Sequence, residues 1–199
     1  LPLSPRPDLS EPAVILPTQP DSADTETYLG LLGQIGRSTG YPALRVKVGT
    51  PSEAVQLADK DLLVIGNLQS QPLFTQWADK MPLKRNGAAP EIKLGSWIDN
   101  TIDFVIGART REDLPGSMQI AITGDGRDAV LAGFESPLRG GRSVVAAITG
   151  PDSKEALLNT LMTPELLKRV QGSMTIMRDT QVNSVLGGDT YYVGRLPSI

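Results

Sequence analysis

The sequence predicts an α/β fold: an open, mostly parallel sheet with helices on both faces and added antiparallel strands. Three observations carry this reading. Short all-apolar runs, Ala13-Val14-Ile15-Leu16 and Leu62-Leu63-Val64-Ile65, read as strands buried on both faces. Stretches with helical periodicity and helix-start residues lie between and after them. The connections are short, so the first part of the chain reads β-α-β-α-β-α, the order that gives parallel strands wrapped by helices.

Residues 1–12 contain Pro2, Pro5, Pro7 and Pro12 and read as an extended lead-in or interdomain linker ahead of one domain over 13–199. After the first strand, Asp21 to Asp24 supply helix-start residues. Tyr28, Leu31, Leu32 and Ile35 then form one apolar stripe, and Gly40 is a natural stop. Leu44-Arg45-Val46-Lys47-Val48 alternates as a strand open to solvent on one side does. Thr50-Pro51-Ser52-Glu53 has the form of a capping box with proline at the first helical position. The short helix it starts carries Val55, Leu57 and Ala58 and ends near Asp59. The strand Leu62 to Gly66 follows, then a helix over Pro72 to Lys80 with Phe74 and Trp77.

The region 83–116 is less regular, with a Pro/Gly-rich loop at Asn86 to Pro90, then Trp97 and the run Phe104 to Gly107. It reads as an insertion with a weak helix and strand. Met118 to Thr123 and Ala129 to Gly133 flank Gly124-Asp125-Gly126-Arg127 and suggest an antiparallel hairpin, or else a helical turn beginning at Gly126. The most informative stretch comes next. The apolar run Ala129 to Ala132 breaks into a Pro/Gly/Arg corner and re-enters a second apolar run, Ser143 to Ile148. This is a buried strand, a surface elbow holding Arg139 and Arg142, and another buried strand. A helix with Leu157, Leu158, Leu161 and Met162 follows, and Thr163-Pro164 restarts it through Leu166, Leu167 and Val170. Three short strand-like pieces close the chain: Met174 to Met177, Asn183 to Leu186, and Tyr191 to Val193.

Composition narrows the function classes. The 199 residues are 40% hydrophobic and 21% charged, enough to bury a sizeable core. A net charge of −3 argues against a dedicated nucleic-acid binder. There is no cysteine and no histidine, which removes disulfides, thiolate zinc sites, the Cys nucleophile and the usual general base of a triad. Only carboxylate chemistry, as in glycoside hydrolysis, survives this narrowing, so an enzyme is not the favoured reading, and no cofactor is expected. The N-terminus lacks the apolar core of a signal peptide, and no run of about 18 apolar residues exists to span a membrane. The first residue is not Met, so the chain reads as a piece of a longer protein.

Few residues stand out as sites. An open α/β sheet binds ligands at the carboxyl ends of its strands. The first such loop here, Pro17 to Ser22, has two prolines that delete N–H donors and carboxylates that repel phosphate. A flavodoxin-like shape without flavin fits it better. The acidic residues needed by a phosphoacceptor receiver are missing from Leu16-Pro17 and Gly66-Asn67. Asp99 with Asp103, and Glu112 with Asp113, are explained by ordinary surface solvation as well as by acid/base work. Trp77 has the spacing to Phe74 of a packing residue, whereas Trp97 is the better candidate for stacking a sugar ring. Arg139 and Arg142, beside Gly140 and Gly141, have the chemistry to clamp a phosphate, a carboxylate or a partner's acidic patch, and equally to form local salt bridges in a solvated turn.

Four blocks, in order, carry a family resemblance: Gly36-Arg37-Ser38-Thr39-Gly40-Tyr41-Pro42; Asp59-Lys60-Asp61-Leu62-Leu63-Val64-Ile65-Gly66; Gly133 to Thr149; and Gly188-Asp189-Thr190-Tyr191-Tyr192-Val193-Gly194-Arg195-Leu196-Pro197. Together they resemble the regulatory, periplasmic B subunit of bacterial cellulose synthase, and within it the second of two flavodoxin-like modules. The resemblance implies a non-catalytic role in glucan synthesis and export, in a periplasmic parent held to the inner membrane by a downstream anchor that this chain lacks. It implies the catalytic synthase subunit and sister modules as partners, with copies of the chain and cellulose as further candidates. The alternative is a ligand-binding module for cello-oligosaccharide or cyclic di-GMP, with Trp97, Arg139 and Arg142 at the site. The chain contains no Arg-x-x-x-Arg pair.

Overall fold

A computed structural model describes residues 12–40, 45–81, 83–86, 89–92 and 127–185. Its strands are β1 (Pro12–Ile15), β2 (Lys47–Gly49), β3 (Asp61–Gly66), β4 (Leu83–Asn86), β5 (Ala89–Ile92), β6 (Ala129–Glu135), β7 (Ser143–Ile148), β8 (Met174–Arg178) and β9 (Gln181–Val185). Its α-helices are α1 (Ser22–Thr39), α2 (Pro72–Gln76), α3 (Lys154–Met162) and α4 (Pro164–Leu167), with a 3-10 helix at Pro51–Leu57. Seven strands form one open sheet in the order β2-β1-β3-β7-β6-β8-β9.

The apolar runs do what their composition requires. Consecutive side chains of a strand point to opposite faces, so a strand that is apolar throughout must be covered twice. Ala13, Ile15, Leu62, Val64, Val144 and Ala146 meet Ala54 of the 3-10 helix and Leu73, Phe74 and Trp77 of α2 and its end. Val14, Leu63, Ile65, Val145 and Ala147 meet Leu31 of α1 and Ala156, Leu157 and Leu161 of α3 on the other face. Helices therefore cover both faces, as expected.

Strand direction differs from expectation. The pairings of β1 with β2, β1 with β3 and β3 with β7 are parallel. Those of β6 with β7, β6 with β8 and β8 with β9 are antiparallel. The sheet is an even mixture rather than mostly parallel. The elbow is the cause: a seven-residue corner is too short for a crossover, so β7 must return antiparallel beside β6.

Local signals fared well at the helix starts. Asp21 caps α1 through its Oδ1, which accepts from the Asp24 N–H at 2.8 Å, and Asp24 Oδ2 accepts from the Asp21 N–H at 3.0 Å. Gly40 closes the helix with φ 72°, a conformation only glycine adopts without cost. Glu53 accepts from both the Thr50 N–H and its hydroxyl at 2.8 Å, but the segment it starts is a 3-10 helix. Its inward residues are Ala54 and Leu57, and Val55 is 71% exposed rather than packed. Helix α2 stops at Gln76, short of the expected Lys80. Met162 ends α3 exposed rather than in the apolar face.

Strand β2 begins at Lys47 rather than Leu44, a residue outside the described ones. Where a loop was expected at Asn86 to Pro90, β4 and β5 pair as a separate two-stranded antiparallel sheet. Ala129–Glu135 is a strand from its start, with β7 on one side and β8 on the other. The expected hairpin partner, Met118 to Thr123, lies outside the described residues, as do Trp97, the run Phe104 to Gly107 and Tyr191 to Val193.

Candidate functional site

The parallel strands define two ends of the sheet. At their carboxyl end lie Pro17 after β1, Asn67 after β3 and Thr149 after β7. A ligand of an open α/β sheet would enter between β1 and β3, where the strand order reverses. That crevice is filled by the protein itself. Gly66 has φ 148°, and a Cβ there would stand 2.8 Å from Gln71 Cβ and 3.0 Å from Pro17 Cγ. Gln71 has no exposed surface, and its Nε2 donates to the Ile65 carbonyl at 3.0 Å. The Thr149 N–H donates to the Gly66 carbonyl at 2.9 Å, tying β7 to the same corner.

The neighbouring start of α1 repels an anion. Asp21 and Asp24 take up its first donors, and Asp24 is 1% exposed. Burial pushes the Asp24 carboxyl above its ordinary value. The Asp21 N–H pulls it down, and the charge of Asp21 raises it again. A helix start carrying its own carboxylates is the reverse of a phosphate cradle.

The elbow lies at the opposite, amino end, because β7 begins there beside the first residue of β3. Asp61 Oδ1 accepts from the Ser143 N–H at 2.9 Å and from its hydroxyl at 3.1 Å. Arg142 turns inward, with Nη1 3.9 Å from Asp61 Oδ2. Glu135 Oε1 accepts from the Gly141 N–H at 3.0 Å, and Gly141 has φ 76°. The Ser136 N–H donates to the Arg142 carbonyl at 2.7 Å. Arg139 is exposed. The two guanidiniums thus have different surroundings: one faces Asp61, the other faces solvent.

Of the remaining candidates, Trp77 is 4% exposed in the core with Phe74. Trp97, Asp99, Asp103, Glu112, Asp113 and Gly124-Asp125-Gly126 lie outside the described residues. Among the described residues, no helix is long and apolar enough to cross a membrane.

The blocks that carry the family resemblance include the elbow, and the comparison with known families agrees. Residues 1–147 match the family model "Cellulose synthase BcsB, second FD domain". The chain belongs to the BcsB family. It is 41% identical over 192 residues to a "Cyclic di-GMP-binding protein" of Xanthomonas axonopodis pv. citri, covering 96% of this chain and 24% of that protein. It is 35% identical over 191 residues to the protein of the same name in Pseudomonas fluorescens, covering 95% and 25%. It is 31% identical over 202 residues to "Cellulose synthase 1" of Komagataeibacter xylinus, covering 96% and 12%. The chain therefore spans about a quarter of the first two relatives.

Two features of this BcsB-family chain escaped sequence reasoning. Asp61 joins β3 to the start of β7, and no local pattern in the sequence marks a contact 82 residues away. Charge is also segregated along the strand axis. Arg37, Arg45 and Lys47 near the turn into β2, Lys60 before β3, Arg139 and Arg142 in the elbow, and Lys168 and Arg169 after α4 gather at the amino end, with Asp59, Asp61, Glu135 and Glu165 among them. The carboxyl end reverses the balance. Among the described residues, Asp21, Asp24, Glu26, Glu53, Asp128, Asp152, Glu155 and Asp179 gather there with Arg127, Lys154 and Arg178. The charge of the described residues is thus divided between the two ends.

Proposed function

We propose that this chain is a non-catalytic, flavodoxin-like packing module of a periplasmic cellulose synthase accessory subunit. It supports glucan synthesis and export through contacts with sister modules and with the catalytic subunit. The flavodoxin-like reading is supported by the order β2-β1-β3-β7 in the parallel half, with the strand order reversing beside β1. The carrying observation is that the crevice at this reversal is filled by Pro17 and Gln71, while the basic elbow stands at the other end. A basic rim with an exposed Arg139 suits an acidic protein surface. In the full-length parent subunit, Arg139→Glu combined with Lys168→Glu should reduce co-purified catalytic subunit several-fold, while Asp179→Lys at the opposite end should not. Unchanged recovery with the double reversal would overturn the assignment of this face.

The names of the Xanthomonas and Pseudomonas relatives favour a second reading, in which the module binds cyclic di-GMP or another anionic ligand at the elbow. Arg139 would supply the exposed charge. Arg142 would first have to leave Asp61. Titration with the dinucleotide separates the two readings.

A further inference from the structure

The sequence contains five methionines, and four of them are described. Met81, Met174 and Met177 are at most 2% exposed, whereas Met162 is 57% exposed at the end of α3. Its sulfur is not simply solvated. The Arg37 guanidinium, from the last turn of α1, donates through Nη2 to Met162 Sδ at 3.7 Å. This contact joins the last turn of α1 to the end of α3, at the basic end of the sheet.

We propose that Met162 is a reversible oxidation site whose sulfoxide is held by Arg37. A peroxide supplies the oxygen: a sulfur lone pair attacks one peroxide oxygen, the O–O bond breaks, and sulfoxide and water are the products. Thioether oxidation follows exposure, so the three buried methionines are protected while the fold persists. The product replaces a weak sulfur acceptor with a strongly polar oxygen, and rotation of the flexible side chain brings that oxygen to the guanidinium. Oxidation at this position then exchanges a weak α1–α3 link for a charge-assisted one, where the same lesion in a core would disrupt packing. It also turns an exposed apolar side chain polar, and a methionine sulfoxide reductase reverses the change.

The test uses the 199-residue chain carrying Met118→Leu, so that only Met81, Met162, Met174 and Met177 report. Hydrogen peroxide treatment is followed by peptide mass mapping and thermal unfolding. Met162 should oxidise roughly tenfold or more faster than Met81, Met174 and Met177. The oxidised chain should melt measurably above its reduced form, because a charge-assisted link replaces a weak one, whereas the oxidised Arg37→Ala variant should gain nothing over its own reduced form. Met162→Leu should be insensitive to the treatment. Equal oxidation of buried and exposed methionines in the folded chain would overturn the site. The same change in Tm with and without Arg37, or no change in either, would overturn the capture by the guanidinium.

Discussion

Asp61 holds Ser143 by two hydrogen bonds, one from the backbone N–H and one from the hydroxyl, at the point where β3 and β7 begin side by side. The Asp61 side chain is 14% exposed, so both bonds are made largely out of water. Arg142 adds a longer ionic contact from a side chain that is 34% exposed. The hydrogen bonds should therefore dominate. Asp61→Ala should cost about 2 kcal/mol in urea unfolding, because it strands a partly buried N–H and loses two bonds to a charged acceptor. Arg142→Ala should cost less than about 1 kcal/mol.

The α1–α3 contact makes different predictions for two glycines one turn apart. A Cβ on Gly30 would run into Leu158 Cδ2, whereas one on Gly33 would meet nothing within 4 Å. Leu158 is half-buried and the end of its side chain can move aside at some strain, which should offset the helix gain of alanine, so Gly30→Ala should change stability by less than about 0.5 kcal/mol. Gly33→Ala should stabilise it by roughly 0.5–1 kcal/mol, since alanine loses less backbone freedom in a helix. Chemical denaturation of both variants measures the contrast.

Gln71 gives a pH-dependent test of the filled crevice. Its Oε1 is buried without a hydrogen-bond partner, while Nε2 serves the Ile65 carbonyl. Gln71→Glu replaces that donor with a carboxylate facing a carbonyl, at a cost of about 3 kcal/mol or more near neutral pH. A protonated acid restores the donor, so the deficit relative to the parent chain should shrink as pH falls. A variant as stable as the parent at neutral pH would mean that water reaches the crevice.

Two carboxylates titrate in opposite senses. Burial raises Asp24, so the folded chain binds its proton more tightly than the unfolded chain does. Its contribution improves as pH falls through the raised native value and levels off below the ordinary 3.8. The N–H and hydroxyl of Thr50 lower Glu53. Its contribution is present above the ordinary 4.5 and is lost as pH falls through the lowered native value. Against the parent chain, Asp24→Asn should lose relative stability on acidification and Glu53→Gln should gain it.

The elements legible in the sequence are those fixed by local chemistry. Ala13 to Ile15, Leu62 to Ile65 and Ser143 to Ile148 are apolar at every or nearly every position, and each is a strand covered on both faces. The residues Asp21, Asp24 and Gly40 mark the ends of α1 before any tertiary contact is known. Direction and end are different matters. Nothing in Ser143 to Ile148 states that it runs parallel to β3 on one side and antiparallel to β6 on the other. Arg139 and Arg142 were readable as a surface corner, but the end of the sheet they occupy follows from strand order alone. Val55 and Met162 fitted an apolar face in sequence yet are exposed, one because a 3-10 helix rotates its face and the other because α3 ends there.

The central claim is that this module packs rather than binds a small molecule, and calorimetric titration of the 199-residue chain with cyclic di-GMP tests it most directly. The filled crevice and the engagement of Arg142 with Asp61 predict dilution heat only. Saturable heat with a defined stoichiometry, lost on Arg139→Ala, would contradict the claim and put the ligand at the elbow.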